Sequence, residues 1–338
     1  MDPFTHALAS AALDRAGLNR ISRMAMPILI VSGTAADLDW LSYLGGAGAY
    51  FHIHNTLLHS IIGSAILALA IAAIICWAAK KYAKTPLRFG RVLLLCAIGA
   101  AGHLLLDLAT AEGVQLLWPF SGRWFAWDLL TGMDPWILAM LLAGLLVPGL
   151  LRLVSEEIGE KKKKPGPSRG AIAALVVVAL YIGWRADLHY RAEQMLLAND
   201  YHGAMALVAG AFPDTDSPLM WRGVVDTANT IEEVTVPFGP GTMFDAMSSL
   251  THYKPQSSAV LEAARSAPLA REFLRYAQFP VATEEELGDG YRVTLQDMRF
   301  PEGANTPDDL IAVLDLDNGR NVRYERMRFA SESGRRPM

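Results

Sequence analysis

Five apolar stretches constrain this chain more than any other feature: roughly Met24–Leu44, Leu57–Ala79, Leu87–Ala109, Pro135–Val154 and Gly170–Trp184. The hydrocarbon core of a bilayer is about 30 Å thick and takes about 20 apolar residues in helical form. With 52% hydrophobic and only 19% charged residues among 338, and a mean hydropathy of +0.24, the chain is too apolar for a soluble protein of its length. Several membrane spans plus a soluble part are expected. The formal net charge of −4 supplies no basic field for nucleic acid, so no nucleic-acid partner is expected. Cys76 and Cys96 both fall inside apolar runs and read as small core residues. The N-terminus lacks a basic n-region, its first positive charge being Arg15, so no cleavable signal peptide is expected.

Lys and Arg placement sets the orientation. Arg15, Arg20 and Arg23 form one basic cluster. Lys80, Lys81, Lys84, Arg88 and Arg91 form a second, and Arg152, Lys161–Lys164 and Arg169 a third. Each lies between two apolar segments, and loops poor in Lys and Arg alternate with them. The stretch "PFTHALASAALDRAG" adds a short helix before the first run. Counting this short helix, the five to six segments become six, and with all three clusters in the cytoplasm six segments place both chain ends outside. The expected fold is therefore mainly α: a polytopic helical membrane domain over 1–187, then a small extracytoplasmic α+β domain over 188–338.

That domain reads from local patterns. "AVLEAARSAPLAREFLRYA" (259–277) is helix-like, with apolar residues recurring at three and four. "GYRVTLQDMRF" (290–300) and "LIAVLDLDNGRNVRYERMRF" (310–329) alternate like strands, the second with an Asn318-Gly319 hairpin signal. "WRGVVDT" and "EEVTVPF" are further expected strands.

The same orientation collects the metal-capable residues on one side. His6, Asp37, Asp39, His52, His54, His59, His103, Asp107, Asp128 and Asp134 all fall at or near outer ends of segments. His103 and Asp107 are four apart, about one helical turn, and share a face. His54 and His59 are five apart and diverge by about 140° on a continuous helix, so joint ligation needs His54 in the preceding loop. His52 reads as a surface side chain. Asp134-Pro135 marks a helix start with Asp as the cap. Ionisable groups at membrane depth are costly and mark functional sites. Imidazole and carboxylate suit zinc and similar divalent ions, which acidify a water for hydrolysis. No G-x-S-x-G elbow, Walker A loop or dinucleotide fingerprint is present.

"MDPFTHALASAAL", "DLD", "HNTLLHS", "GHLLLDLAT" and "QLLWPFSGRWFAWD…MDP" resemble, in order, the motifs of a bacterial family of membrane-bound metal-dependent hydrolases. That family is distantly similar to zinc-dependent phospholipases C and related zinc nucleases. "WRGVVDT" resembles a motif in the extracytoplasmic tail of its longer members. Ala36 stands where the family has Pro, and Asn55, Thr56 and Leu58 replace Arg, Gly and Thr.

The resemblance implies a divalent metal, zinc above all, as one or two ions. It implies the ligands His6, Asp37 or Asp39, His59, His103 and Asp107, with His54 a ligand or general base. His54 and Asp39 are the candidates for the chemistry. The expected activity is hydrolysis of a phosphate ester, such as a phospholipid from the surrounding bilayer, in a multi-pass protein of the bacterial inner membrane. The rival expectation is a non-enzymatic membrane protein whose His/Asp cluster carries metal or braces helices.

Overall fold

The computed structural model describes residues 1–82, 86–157, 167–300 and 309–333. Lys84 and lysines 161–164, used above for orientation, lie outside the described residues. The chain forms two compact units.

The helical unit comprises Met1–Asp39, Asn55–Phe120 and Phe125–Ala186. Helix α1 (Pro3–Ala16) starts where Asp2 accepts hydrogen bonds from the Phe4 and Thr5 amides, with Pro3 at the first position. Helix α2 (Ala25–Thr34) leads into a 3₁₀ segment, Ala36–Gly45, followed by α3 (Gly46–Ile53). The expected span Met24–Leu44 is thus not one helix. Ten residues of α2 rise only about 15 Å, half of a hydrocarbon core. The charged Ala-Asp-Leu-Asp turn ends the α-helix, and Gly46, at φ +84°, separates the 3₁₀ segment from α3.

Helices α4 (Ile61–Tyr82), α5 (Phe89–Leu108), α6 (Pro135–Glu157) and α7 (Arg169–Leu197) follow. Among the described residues α4, α5 and α7 are long and apolar enough to cross a membrane, and α6 carries a shorter apolar run, Pro135–Leu150. Asp134 caps α6 through the Trp136 and Ile137 amides, as its sequence position implied.

Small residues let α1, α2 and α5 approach closely, the usual device inside membranes. A Cβ on Gly33 would lie 2.3 Å from Ser10 Oγ, and one on Gly99 would lie 2.2 Å from Ser32 Oγ. A core of Ile28, Leu29, Leu95, Cys96 and Ala72 fills the α2–α4–α5 junction.

The C-terminal unit comprises Trp40–His54, Ser121–Trp124 and Asp187–Met338. A short hairpin, β1 (Asp200–Tyr201) with β2 (Ala204–Met205), precedes a four-stranded antiparallel sheet. That sheet runs β3 (Val208–Pro213), β4 (Met220–Asp226), β5 (Thr230–Pro237), β6 (Leu250–Tyr253) in order. Leu188, Ala192 and Leu196 of α7 pack on it with Trp221, Val225 and Val234. Gly223 permits that approach, because a Cβ there would meet Leu196 Cδ2 at 2.5 Å.

The expected 259–277 helix is two helices, α8 (Ala259–Arg265) and α9 (Pro268–Tyr276). Pro268 forces the break by disfavouring helical geometry at Ala267. A second antiparallel sheet has the order β10-β9-β8-β7, with β7 (Pro280–Leu287), β8 (Gly290–Asp297), β9 (Leu310–Asp317) and β10 (Val322–Phe329). It shares a core with α3, α8 and α9 that contains Tyr50, Phe51, Leu261, Phe273, Val293 and Leu314. In "WRGVVDT", Trp221 is core, and Arg222 donates to the Met298 and Arg299 carbonyls and to Glu233. The motif is a structural tie between β4 and the turn after β8.

Candidate metal centre

His6, Asp37, Asp39, His59, His103 and Asp107 all belong to the helical unit, and all but Asp37 are buried. They arrive on four segments: the first turns of α1, the 3₁₀ segment, the Asn55–Ser60 turn and the last turns of α5. Ser60 holds its turn against α4, donating to the Leu57 carbonyl and accepting from the Gly63 amide. A Cβ on Gly63 would sit 1.8 Å from the Leu57 carbonyl oxygen, so only glycine fits there.

His103 Nδ1 lies 2.9 Å from the Gly33 carbonyl oxygen. A carbonyl only accepts, so Nδ1 carries the proton and Nε2 of the neutral ring is a bare lone pair. His59 Nδ1 faces the acceptor-only carboxylate of Asp39 at 2.9 Å, so a neutral His59 ring with its proton on Nδ1 likewise presents a lone pair at Nε2. The two Nε2 atoms then face each other across 2.9 Å. Asp107 Oδ2 lies 3.0 Å from His103 Nε2 and 3.3 Å from His59 Nε2, and this buried oxygen has no hydrogen-bond partner.

Three electron-pair donors thus form a triangle with edges of 2.9, 3.0 and 3.3 Å. Two nitrogens each 2.0–2.1 Å from one tetrahedral ion are about 3.3 Å apart, so the triangle has the size of one face of such a site. Bare lone pairs at this range repel, and a proton or a metal cation shared among them relieves the repulsion. For a metal ion the three would supply three protein ligands and leave a further position open. This is the fit that a divalent ion requires.

Two groups of potential ligands within 4.8 Å of one another occur among the described residues: His59 with His103 and Asp107, and His6 with Asp37 and His103. His6 Nε2 is 3.0 Å from Asp107 Oδ1, the oxygen opposite the triangle. Asp37 Oδ1 is 3.8 Å from His103 Nε2, and its Oδ2 is buried without a hydrogen-bond partner. Asp39 is in neither group. It sits behind His59 and also accepts from the Asn55 amide, 3.1 Å away. His54 is in neither group either; it caps α3 and stacks on Tyr50 with ring centroids 4.4 Å apart. His52 is exposed beside Glu272.

Two groups absent from the sequence-level candidates also reach this cluster. The Met1 amino group is 2.7 Å from Asp107 Oδ1 and 3.8 Å from Glu112 Oε2. Nothing in "TAEGVQ" distinguishes Glu112 from an ordinary loop carboxylate.

Membrane-length helices together with a buried His/Asp cluster that can hold a metal ion define a membrane protein with a candidate metal centre. The family model described as YdjM inner membrane protein matches residues 1–192, and the chain belongs to that family. The matched region contains every ligand candidate. No curated protein and no solved structure matches the chain.

Proposed function

We propose that the chain is a metal-dependent hydrolase of the inner membrane that cleaves a phosphate ester. The observation that carries the reading is the triangle of His59 Nε2, His103 Nε2 and Asp107 Oδ2, because three protein donors and an open position are the catalytic form of a zinc site. The order of the His and Asp motifs along the chain supports the same reading.

A zinc-like ion held there supplies an acidified water and polarisation of the phosphoryl group. The chain's own residues do the rest. Gly33 and Asp39 hold the His103 and His59 rings in the ligating tautomer. His6 and Asp37, with His103, are the residues that would hold a second ion, and Asp107 Oδ1 faces His6. Asp37, the least buried of the set, would orient or deprotonate the attacking water.

Purified full-length protein assayed for metal content and for hydrolysis of bis(4-nitrophenyl) phosphate tests this. Metal and turnover should both be present in the parent protein, be lost after chelation and return with zinc. His103→Ala and Asp107→Ala should lose both, and His54→Ala reads the base role assigned from sequence. Metal retained with no ester hydrolysis supports the metal-carrying rival, and no metal at all supports helix bracing.

A further inference from the structure

The cluster comes nearest to its surroundings at Asp37, whose side chain is 13% exposed while His6, His59, His103 and Asp107 are at 2% or less. Around it, the ligand-bearing segments of the helical unit present large apolar side chains outward. Leu38, beside Asp37, is 63% exposed; Phe4, two residues before His6, is 73% exposed. Leu57 and Ile61, on either side of His59, are 43% and 53% exposed. Exposed apolar side chains gathered around a buried polar cluster mark an interaction surface, of which a membrane is one kind.

The rim also adjoins the exposed apolar surface of α4. From Ile62, the residue after Ile61, exposed Ile62, Ile66 and Leu69 recur at spacings of four and three along one face of α4, a helix long and apolar enough to span. Ligand and apolar anchor therefore alternate within single short segments, at the end of α4 where the span begins.

We infer that this rim is seated in the bilayer, and that the centre takes a phosphate ester carried on a hydrocarbon anchor, which arrives laterally past Leu38 to Asp37. The choice of substrate rests on the hydrolase reading above; the seating of the rim does not. A lipid so recruited exchanges hydrocarbon contacts with the bilayer for contacts with Phe4, Leu38 and Leu57, and its phosphate meets the cluster without leaving the membrane.

The seating is read without any activity. Nitroxides are placed singly by Phe4→Cys, Leu38→Cys and Leu57→Cys in full-length protein carrying Cys76→Ala and Cys96→Ala. The protein is reconstituted in vesicles of phosphatidylethanolamine and phosphatidylglycerol. Power saturation should show these labels colliding with oxygen in preference to a water-soluble nickel chelate, and a Glu285→Cys label on β7 should show the reverse. Labels at 4, 38 and 57 as accessible to the chelate as that at 285 overturn the inference, whatever the hydrolysis assays give. The substrate half is read in mixed micelles with phosphatidylglycerol. Its hydrolysis should fall in proportion to its surface fraction at constant bulk concentration. Leu38→Asp should lower lipid turnover relative to bis(4-nitrophenyl) phosphate by about ten-fold, the equivalent of 1.4 kcal/mol. Lipid-facing labels with neither ester cleaved overturn the hydrolase reading and leave the seating in place. Turnover of the soluble diester alone overturns the lipid substrate.

Discussion

The two aspartates of "DLD" illustrate what a single side chain can and cannot disclose. Spacing alone left Asp37 and Asp39 equivalent. The segment is 3₁₀ with about three residues per turn, so side chains two apart point in different directions. Asp39 turns to His59 Nδ1, and Asp37 keeps an unpartnered oxygen near His103. The roles assigned here differ accordingly. Asp39→Asn should keep the metal stoichiometry at saturation but weaken affinity by about 10–100-fold, the usual cost of losing a carboxylate behind a ligating His. Asp37→Asn should leave the affinity of the His59–His103–Asp107 triangle nearly unchanged and abolish turnover. Titration of apoprotein with zinc, followed by calorimetry, separates the two; equal affinity loss in both variants would contradict the assignment. His103 and Asp107 were legible because both lie on one long helix, where a spacing of four fixes their relation. Glu112 was not, because it reaches the cluster through the Met1 amino group and no periodicity connects residues 1 and 112.

At the level of elements, what the sequence discloses depends on whether an element is built from local or distant contacts. Helices α4 and α5 stand close to their apolar runs, since a span must satisfy its own backbone. The Met24–Leu44 run is equally apolar yet folds as helix, 3₁₀ segment and helix, because it must deliver Asp39 to His59 rather than cross lipid. Strands β8, β9 and β10 were legible from alternation and the Asn-Gly turn. Strands β3, β6 and β7 were not, because pairing with distant neighbours creates them. The tightest local device is the Leu57–Gly63 contact that presents His59. Gly63→Ala has no room for its methyl and should destabilise the helical unit by about 1–3 kcal/mol, the range for an overpacked core. Because the displaced group is the turn bearing His59, metal affinity should fall along with thermal stability. Gly90→Ala, on open helix surface, is the control and should be neutral in both measurements. Loss of stability with unchanged metal affinity would show that the turn moves independently of the ligand.

For the molecule as a whole, the side of the membrane on which the chain leaves the helical unit follows from how α6 pairs with α7. Tyr181 donates to Asp134 at the start of α6, 3.2 Å away, while Gly144 further along α6 packs on Gly170 and Ala174 near the start of α7. The two helices are therefore antiparallel, and residues 181–186 lie level with the beginning of α6. Arg185 is in the same layer, donating to the Leu129 carbonyl, and Leu129 in turn donates its amide to the carbonyl of Ala109, two residues past Asp107. So α7 runs out of the helical unit on the side where α5 ends and the His/Asp cluster sits. The opposite ends of α4 and α5 carry Lys80, Lys81, Arg88 and Arg91, which the positive-inside rule assigns to the cytoplasm. We propose on that basis that the cluster and the exit of α7 both face outward. Alkaline phosphatase fused after residue 338 should be active, and the same reporter fused after Tyr82 inactive. The result also bears on α6, whose apolar run of Pro135–Leu150 is short for a span. If α6 stays on the outer side and only α7 crosses, α7 ends in the cytoplasm and the C-terminal fusion is silent. An active C-terminal fusion requires α6 and α7 to enter and return as a pair, and so requires the membrane to accommodate the shorter run by local thinning or by polar end groups reaching the interface.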